Sequence, residues 1–336
     1  MTKMGNVVWQ LLSVLTTILG SAGAVLGQPA TSGLLQLEAK IPLGAVSGRI
    51  DHMAVDLERR RLFVAELGND SVGVVDLNTR KVIHRISGLK EPQGVAYVGT
   101  NDLLYVANGG DGSVRFFAGP NYSPAGRIDL GADADNIRVD RGANHLLVGY
   151  GSGAIAVFDL QDNSKIFSIA LRAHPESFQL DASSRQIFVN LPNAQAIAVL
   201  DERKGKERAM WPLQHGGNFP MALDTERHRV LIAFRNPAKL AAFDWQIGGV
   251  VSEVDICGDA DDLFFDPKRS RIYVTCGAGF IDILSADDPK YSRQARINTV
   301  SGARTGLFIP EIDRLLLAVR ARFTEPAAIW VYRTAP

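Results

Sequence analysis

Four acidic residues occupy the same place in a repeating pattern along this chain. An aspartate recurs at Asp56, Asp140, Asp181, Asp224 and Asp266, with Val98 and Pro310 in the corresponding places of two further segments. The residues five before these positions are Asp51, Gln93, Asp135, Glu176, Phe219, Asp261 and Thr305. The residues that follow them are His52, Gly94, Asn136, Ser177, Pro220, Asp262 and Gly306. Carboxylates and amides brought together suit a hard cation such as Ca²⁺ or Mg²⁺. His52 would shift that preference toward a transition metal. A cationic or hydroxyl-rich ligand would use the same groups. The best local cluster for an ion is Asp135, Asn136 and Glu176, and a second is Asp261 and Asp262 beside Arg304. The competing reading is local: such side chains cap backbone N–H groups in tight loops, or pair with Arg49, Arg138 and Arg304. Arg138 and Gln179 stand two before the aspartate, where Ala54, Ala96 and Ala222 are small. Arg138 could hold an anionic group. An arginine beside acids is more simply their partner, which here means Asp135 and Glu176.

Other reactive residues are few. Of the six histidines, His52, His174 and His215 fall in corresponding loops, and His84, His145 and His228 read as surface residues. Only His174 and His215 belong to adjacent segments, so a zinc site would lack its third ligand. Cys257 and Cys276 are the two cysteines. They could form a disulfide in an oxidising compartment, or remain two inert thiols. The chain holds no Gly-x-Ser-x-Gly nucleophile motif, no phosphate-binding loop and no Cys-x-x-Cys-His haem site. Arg235, Lys239, Arg320 and Arg322 read as solvated loop charge or as a shallow anion-binding patch.

The elements that must position these residues are legible from the period. An apolar motif recurs at Leu62-Phe63-Val64-Ala65, Leu104-Tyr105-Val106-Ala107, Leu146-Leu147-Val148-Gly149, Ile187-Phe188-Val189-Asn190, Val230-Leu231-Ile232-Ala233, Ile272-Tyr273-Val274-Thr275 and Leu315-Leu316-Leu317-Ala318. The intervals are 41 to 43 residues. Each repeat holds four short β-type runs separated by turn formers, as His52–Asp56, Arg61–Glu66, Ser71–Leu77 and Lys81–Ser87 in the first. Four strands at this period predict a blade, and seven copies predict an all-β, seven-bladed β-propeller over 34–336. One such sheet cannot bury both faces, but sheets stacked around an axis can. The large residues of the innermost strands, such as Met53/Val55, Val95/Tyr97 and Leu263/Phe265, should pack between blades. The seventh repeat ends after its third strand, and an orphan strand at 34–43 precedes the first. The expectation is that it completes the last blade and removes an open edge.

The repeats resemble the YVTN-type β-propeller family. Tyr105-Val106-Ala107-Asn108 followed by Gly109, Gly110, Ser113 and Val114 is near the name motif. Phe63-Val64-Ala65-Glu66 with Gly68-Asn69-Asp70-Ser71-Val72, and Tyr273-Val274-Thr275-Cys276, are further near matches, while Asn190, Ala233 and Arg320 depart from it. The resemblance covers 34–336 and implies export and, by default, a binding or interaction role, though fold does not set function.

Composition agrees with a packed domain. The 336 residues are 46% hydrophobic and 21% charged, and Lys+Arg and Asp+Glu are both 36. A zero net charge disfavours nucleic acid as a partner. Residues 1–27 read as a secretory signal, with Lys3 before an apolar run at 7–19 and small residues Ala22 and Ala24 beyond it. An uncleaved anchor is the alternative. Residues 28–33 read as a linker. The functional expectation is an exported, monomeric scaffold that binds a protein, glycan or small molecule without catalysis. The alternative is a metal-dependent lactonase or lyase with a cation at the channel mouth and His52 or His174 as base. An electron-transfer subunit has less support without a haem motif.

Overall fold

A computed structural model describes residue 1 and residues 33–336. The signal segment, its cleavage site and nearly all of the linker lie outside the described residues. Seven four-stranded antiparallel sheets follow one another. Blade one is Met53–Asp56, Arg61–Glu66, Ser71–Asp76 and Lys81–Ser87, in spatial order from inside to outside. The next five repeat this order, at 92–129, 134–170, 178–212, 216–255 and 260–298. Innermost strands of successive blades lie in contact, and that of blade seven, Gly306–Ile309, returns to blade one. Blade seven continues with Arg314–Val319 and Ala327–Thr334 and takes its outermost strand, Leu35–Gly44, from the other end of the chain. That strand begins and ends one residue later than the sequence suggests.

Seven apolar clusters of described residues fill the seven junctions between blades. The junction of blades seven and one holds Met53, Leu62 and Val64 against Ile309, Leu316 and Ile329, with Ile41 and Leu43 of the closing strand. Alternation explains this: each strand sends every second side chain to one face, and both faces meet a neighbouring blade.

The recurring aspartates end the innermost strands and are buried. Asp56, Asp140, Asp181 and Asp224 accept backbone N–H groups of the following turn, as Asp56 Oδ1 from Arg59 at 3.1 Å and Asp140 Oδ1 from Gly142 at 2.9 Å. Three carry an arginine three residues on. Arg59, Arg227 and Arg269 pair with Asp56, Asp224 and Asp266, each at 3.0 Å. Each then reaches a carboxylate of the next blade: Asp102, Asp287 and Asp313. Asp56 and Asp224 are thus both turn caps and ends of a clip between blades, and Asp266 is the end of a clip.

Candidate functional site

All seven blades contribute to one polar cavity at the end of the channel where innermost strands begin. Its volume is about 310 Å³, and its walls include Asp51, His52, Gln93, Asp135, Glu176 and Asp261. Strand irregularities aim several of these groups. In blades two, three, five and six the innermost strand slips register at Pro92/Val95, Ala134/Ile137, Asn218/Met221 and Ala260/Asp262. A bulge leaves residues without a cross-strand partner and re-aims their side chains. Asp135 and Asn136 sit inside such a slip. In blades one, four and seven the strand starts later, at Met53, Phe178 and Gly306, so Asp51, Glu176 and Thr305 occupy the loop before it. Gly94 fits the same plan: a Cβ there would stand 2.1 Å from the Asp135 carbonyl oxygen.

The local and the ligand-facing readings of the acids divide by blade. Asp51 is engaged by Arg49 at 2.7 Å and by His52 Nδ1 at 2.7 Å. Asp261 meets Arg235 and, at 3.2 Å, Arg304 Nε, and Arg304 also holds Asp259 at 2.7 Å. Asp262 Oδ2 accepts the backbone N–H of Gly306 at 2.7 Å. Gln93 donates to Asp133 at 3.2 Å. Asp135 and Glu176 are different. Asp135 Oδ2 faces His174 Nε2 at 3.6 Å, while the buried Asp135 Oδ1 and Asn136 Oδ1 receive no hydrogen bond from any described residue.

One sequence expectation needs correction, that of Arg138. Arg138 pairs with neither Asp135 nor Glu176. It donates to the Ile137 carbonyl at 2.8 Å and lies 5.4 Å over the Phe178 ring. It lines a separate cavity with Gln179 instead of the mouth, because the strand alternates it away from Asp135. His174 and His215 do not meet either. His174 donates to the Gly151 carbonyl at 2.6 Å, and His215 binds Glu253 at 3.0 Å on the outer part of blade five. Cys257 and Cys276 are joined, with Cα atoms 5.9 Å apart. The bond pins the loop that leads to Asp259, Asp261 and Asp262. The Cys257 N–H is also held by the buried Asp282 at 2.8 Å. Asp133 and Arg235 were not marked as mouth residues by position. Arg235 lies 3.9 Å over Phe219, which stands in the acidic series itself. Asp133 lies two residues before Asp135, the only sequence signal that pointed to it.

Burial and crowding of like charge set the protonation of the mouth. Burial, with the Asp135 charge, pushes the Glu176 carboxyl up to about 7. Burial, with Asp261, does the same to Asp262, also to about 7. For His52, burial is outweighed by Asp51 and the charges of Asp135 and Asp262, and the imidazole rises to about 9. The Asp135 contact raises His174 to about 9. Each of the four holds its proton in the native chain at a pH where the unfolded chain has released it. Stability from these groups is therefore present at low pH. It is lost from the ordinary carboxyl range up to about 7 for the acids, and from 6.5 to about 9 for the histidines. Asp51, held below the usual range by His52 and Arg49 despite burial, opposes this only at the acid end. The expected result is a melting temperature several degrees higher near pH ~5.5 than near pH ~8.5. Glu176→Gln with Asp262→Asn should flatten the profile between pH ~5 and ~7. A wild-type melting temperature that rises across this range would contradict the assignment.

No protein-family model matches the chain, and no curated protein matches it in sequence. Solved structures do resemble it. A chain in the crystal structure of the mitotic checkpoint complex is 15% identical, with a TM-score of 0.76 over 96% of this chain and 98% of that one. A chain of Kuenenia stuttgartiensis hydrazine synthase is 17% identical, with a TM-score of 0.75 over 93% and 99%. At such identities the likeness is one of fold alone, and the fold is the β-propeller.

Proposed function

We propose that this chain is an exported, non-enzymatic binding propeller of YVTN type that takes its ligand at the channel mouth. The observation that carries the reading is the convergence of all seven blades on one small polar cavity, with acceptors in it that no described residue satisfies. Buried polar groups are normally paired, and an unpaired one in a concave site is suited to a ligand. A propeller chain of a protein complex is among the similar structures, which supports a protein partner at the coarser level. The near-YVTN motifs at 105–114 and the signal-like segment at 1–27 support the family and the export.

The test is a thermal-shift screen of amines, polyols, organic acids and divalent cations on wild type and on Asp135→Ala with Glu176→Ala. At least one class should raise the wild-type melting temperature and lose its effect in the variant. If none does, the mouth is not a small-ligand site and the search moves to protein partners.

The metal-dependent lactonase or lyase remains the second reading, because Asp135 and Asn136 offer free oxygens. Against it, no three His, Cys, Asp or Glu side chains among the described residues gather closely enough for an ion, and Asp261 is engaged by two arginines. Elemental analysis separates the two. A stoichiometric Ca²⁺ or Mg²⁺ whose removal by EDTA lowers the melting temperature supports the enzyme, and a metal-free protein supports the scaffold.

A further inference from the structure

We propose that the mouth takes a small zwitterion of amino-acid type, its ammonium against Asp135, Asn136 and Glu176 and its carboxylate against Arg320, Arg304 and Arg49. The inference rests on the mouth being the ligand site and names the class of ligand.

The two halves of the mouth differ in what they lack. Blades three and four supply Asp133, Asp135, Asn136, His174 and Glu176. Asp135 is 6% exposed and Asn136 2%, and one oxygen of each is unmet. No described residue donates to the Glu176 carboxyl, and Glu176 shares His174 with two aspartates. Acceptors of this kind call for a group with several N–H donors and a positive charge, and an ammonium has three donors and no acceptor.

Across the ring, blade seven and the segment before blade one supply Arg304 and Arg49 to the wall, and Arg320 lies in blade seven just beyond the lining. Arg49 is spent on Asp51, and Arg304 on Asp259 and Asp261. Arg320 directly follows the strand Arg314–Val319, where the Ala318 N–H bonds the carbonyl of Thr305 on the cavity wall. That places its backbone two residues beyond one bonded to the cavity wall. It is half-buried, and it makes no ion pair or hydrogen bond with any described residue. After burial, the like charges of Arg304 and Arg49 act on it most, with Asp261 and Asp51 opposing them. A guanidinium in this position is relieved by an anion, and its fork suits a carboxylate.

Simpler ligands satisfy one half each. An inorganic anion would serve Arg320 and leave the buried acceptors unmet. A monoamine would do the reverse. A neutral polyol would supply donors but no charge to Arg320. Phe219, the aromatic side chain on the wall, could cover a short methylene chain between the ends. A cavity of about 310 Å³ is at the small end for ligand sites, which suits such a molecule.

Titration calorimetry on the full chain tests this with ω-amino acids from 4-aminobutanoate to 8-aminooctanoate, which act as a ruler across the ring. Hexylamine, hexanoate and sorbitol are measured beside them. One or two neighbouring lengths should bind at least tenfold more tightly than hexylamine and hexanoate. Asp135→Asn should bring the best length down to the level of hexanoate, and Arg320→Gln to that of hexylamine. Melting curves check that both variants fold. If Asp135→Asn does not, Arg320→Gln, on a loop, still tests the carboxylate end. If hexylamine, hexanoate or sorbitol binds as tightly as every ω-amino acid, the zwitterion is wrong and the mouth is still a ligand site. If no ω-amino acid binds, the zwitterion is wrong. The thermal-shift screen then decides separately whether the mouth binds anything.

Discussion

Deleting residues 33–44 is expected to abolish the cooperative, monomeric fold. The strand Leu35–Gly44 is the outer edge of blade seven and pairs with Ala327–Thr334 along most of its length. Without it, that strand becomes an open edge, and open edges recruit other chains. The apolar loss is also large. Ile41 and Leu43, each 1% exposed, leave the junction of blades seven and one. Removing one buried side chain of this size costs about 2–5 kcal/mol, and two would take much of a typical stability of about 5–15 kcal/mol. The measurement is size-exclusion chromatography with a melting curve. Oligomers or aggregates and a broad or absent transition are expected. A monomer that melts at the wild-type temperature would show that closure contributes little. Leu37→Ser is the control, since Leu37 is exposed on the same strand and should change the melting temperature little.

The second large effect is expected from the clip at Asp266. Its side chain is fully buried, that of Arg269 is 7% exposed, and they meet at 3.0 Å. Arg269 also holds Asp313 of blade seven at 2.7 Å, and Tyr273 donates to Asp266 Oδ2 at 3.2 Å. Asp266→Ala would remove one of the two carboxylates on a buried guanidinium and leave the Tyr273 hydroxyl without its acceptor. Breaking a buried pair from one side costs about 3–5 kcal/mol. The exposed pair Lys204–Asp201, with Lys204 67% exposed, should cost about 0–1 kcal/mol when broken by Lys204→Ala. Chemical denaturation of the two variants gives the comparison. Equal losses would mean that the buried clip contributes no more than an exposed pair. Asp266→Ala combined with Arg269→Leu should recover part of the loss, because the pair is then removed from both sides.

The fold was legible because a propeller is nearly one-dimensional: each blade contacts only its neighbours, so the same short pattern must recur in the chain. The period, the four strands per blade and the N-terminal closure of the last blade could all be read from residue types. Even the position of the mouth was legible, since Asp51, Asp135, Glu176 and Asp261 share one offset from the recurring aspartate. What the offset could not tell was which acid is paired. Asp51 and Asp261 are neutralised by Arg49, Arg304 and Arg235, whereas Asp135 and Glu176 have no arginine. Those pairings join residues up to 43 positions apart, and they depend on the direction of a long side chain.

Arg138 shows the same limit. It stands two residues before its aspartate and close to Asp135 in sequence, yet strand alternation carries it out of the mouth. The clips from Arg59, Arg227 and Arg269 had a signal, an arginine three after the aspartate, but their second partners belong to the next blade. Residue types and their period therefore determined the architecture and the place of the polar cavity. The charge balance of that cavity and the acceptors that no described residue meets were decided only when the ring closed. Closure brings the loops of blades three and four opposite those of blade seven, and electrostatics acts through those distances and not along the chain.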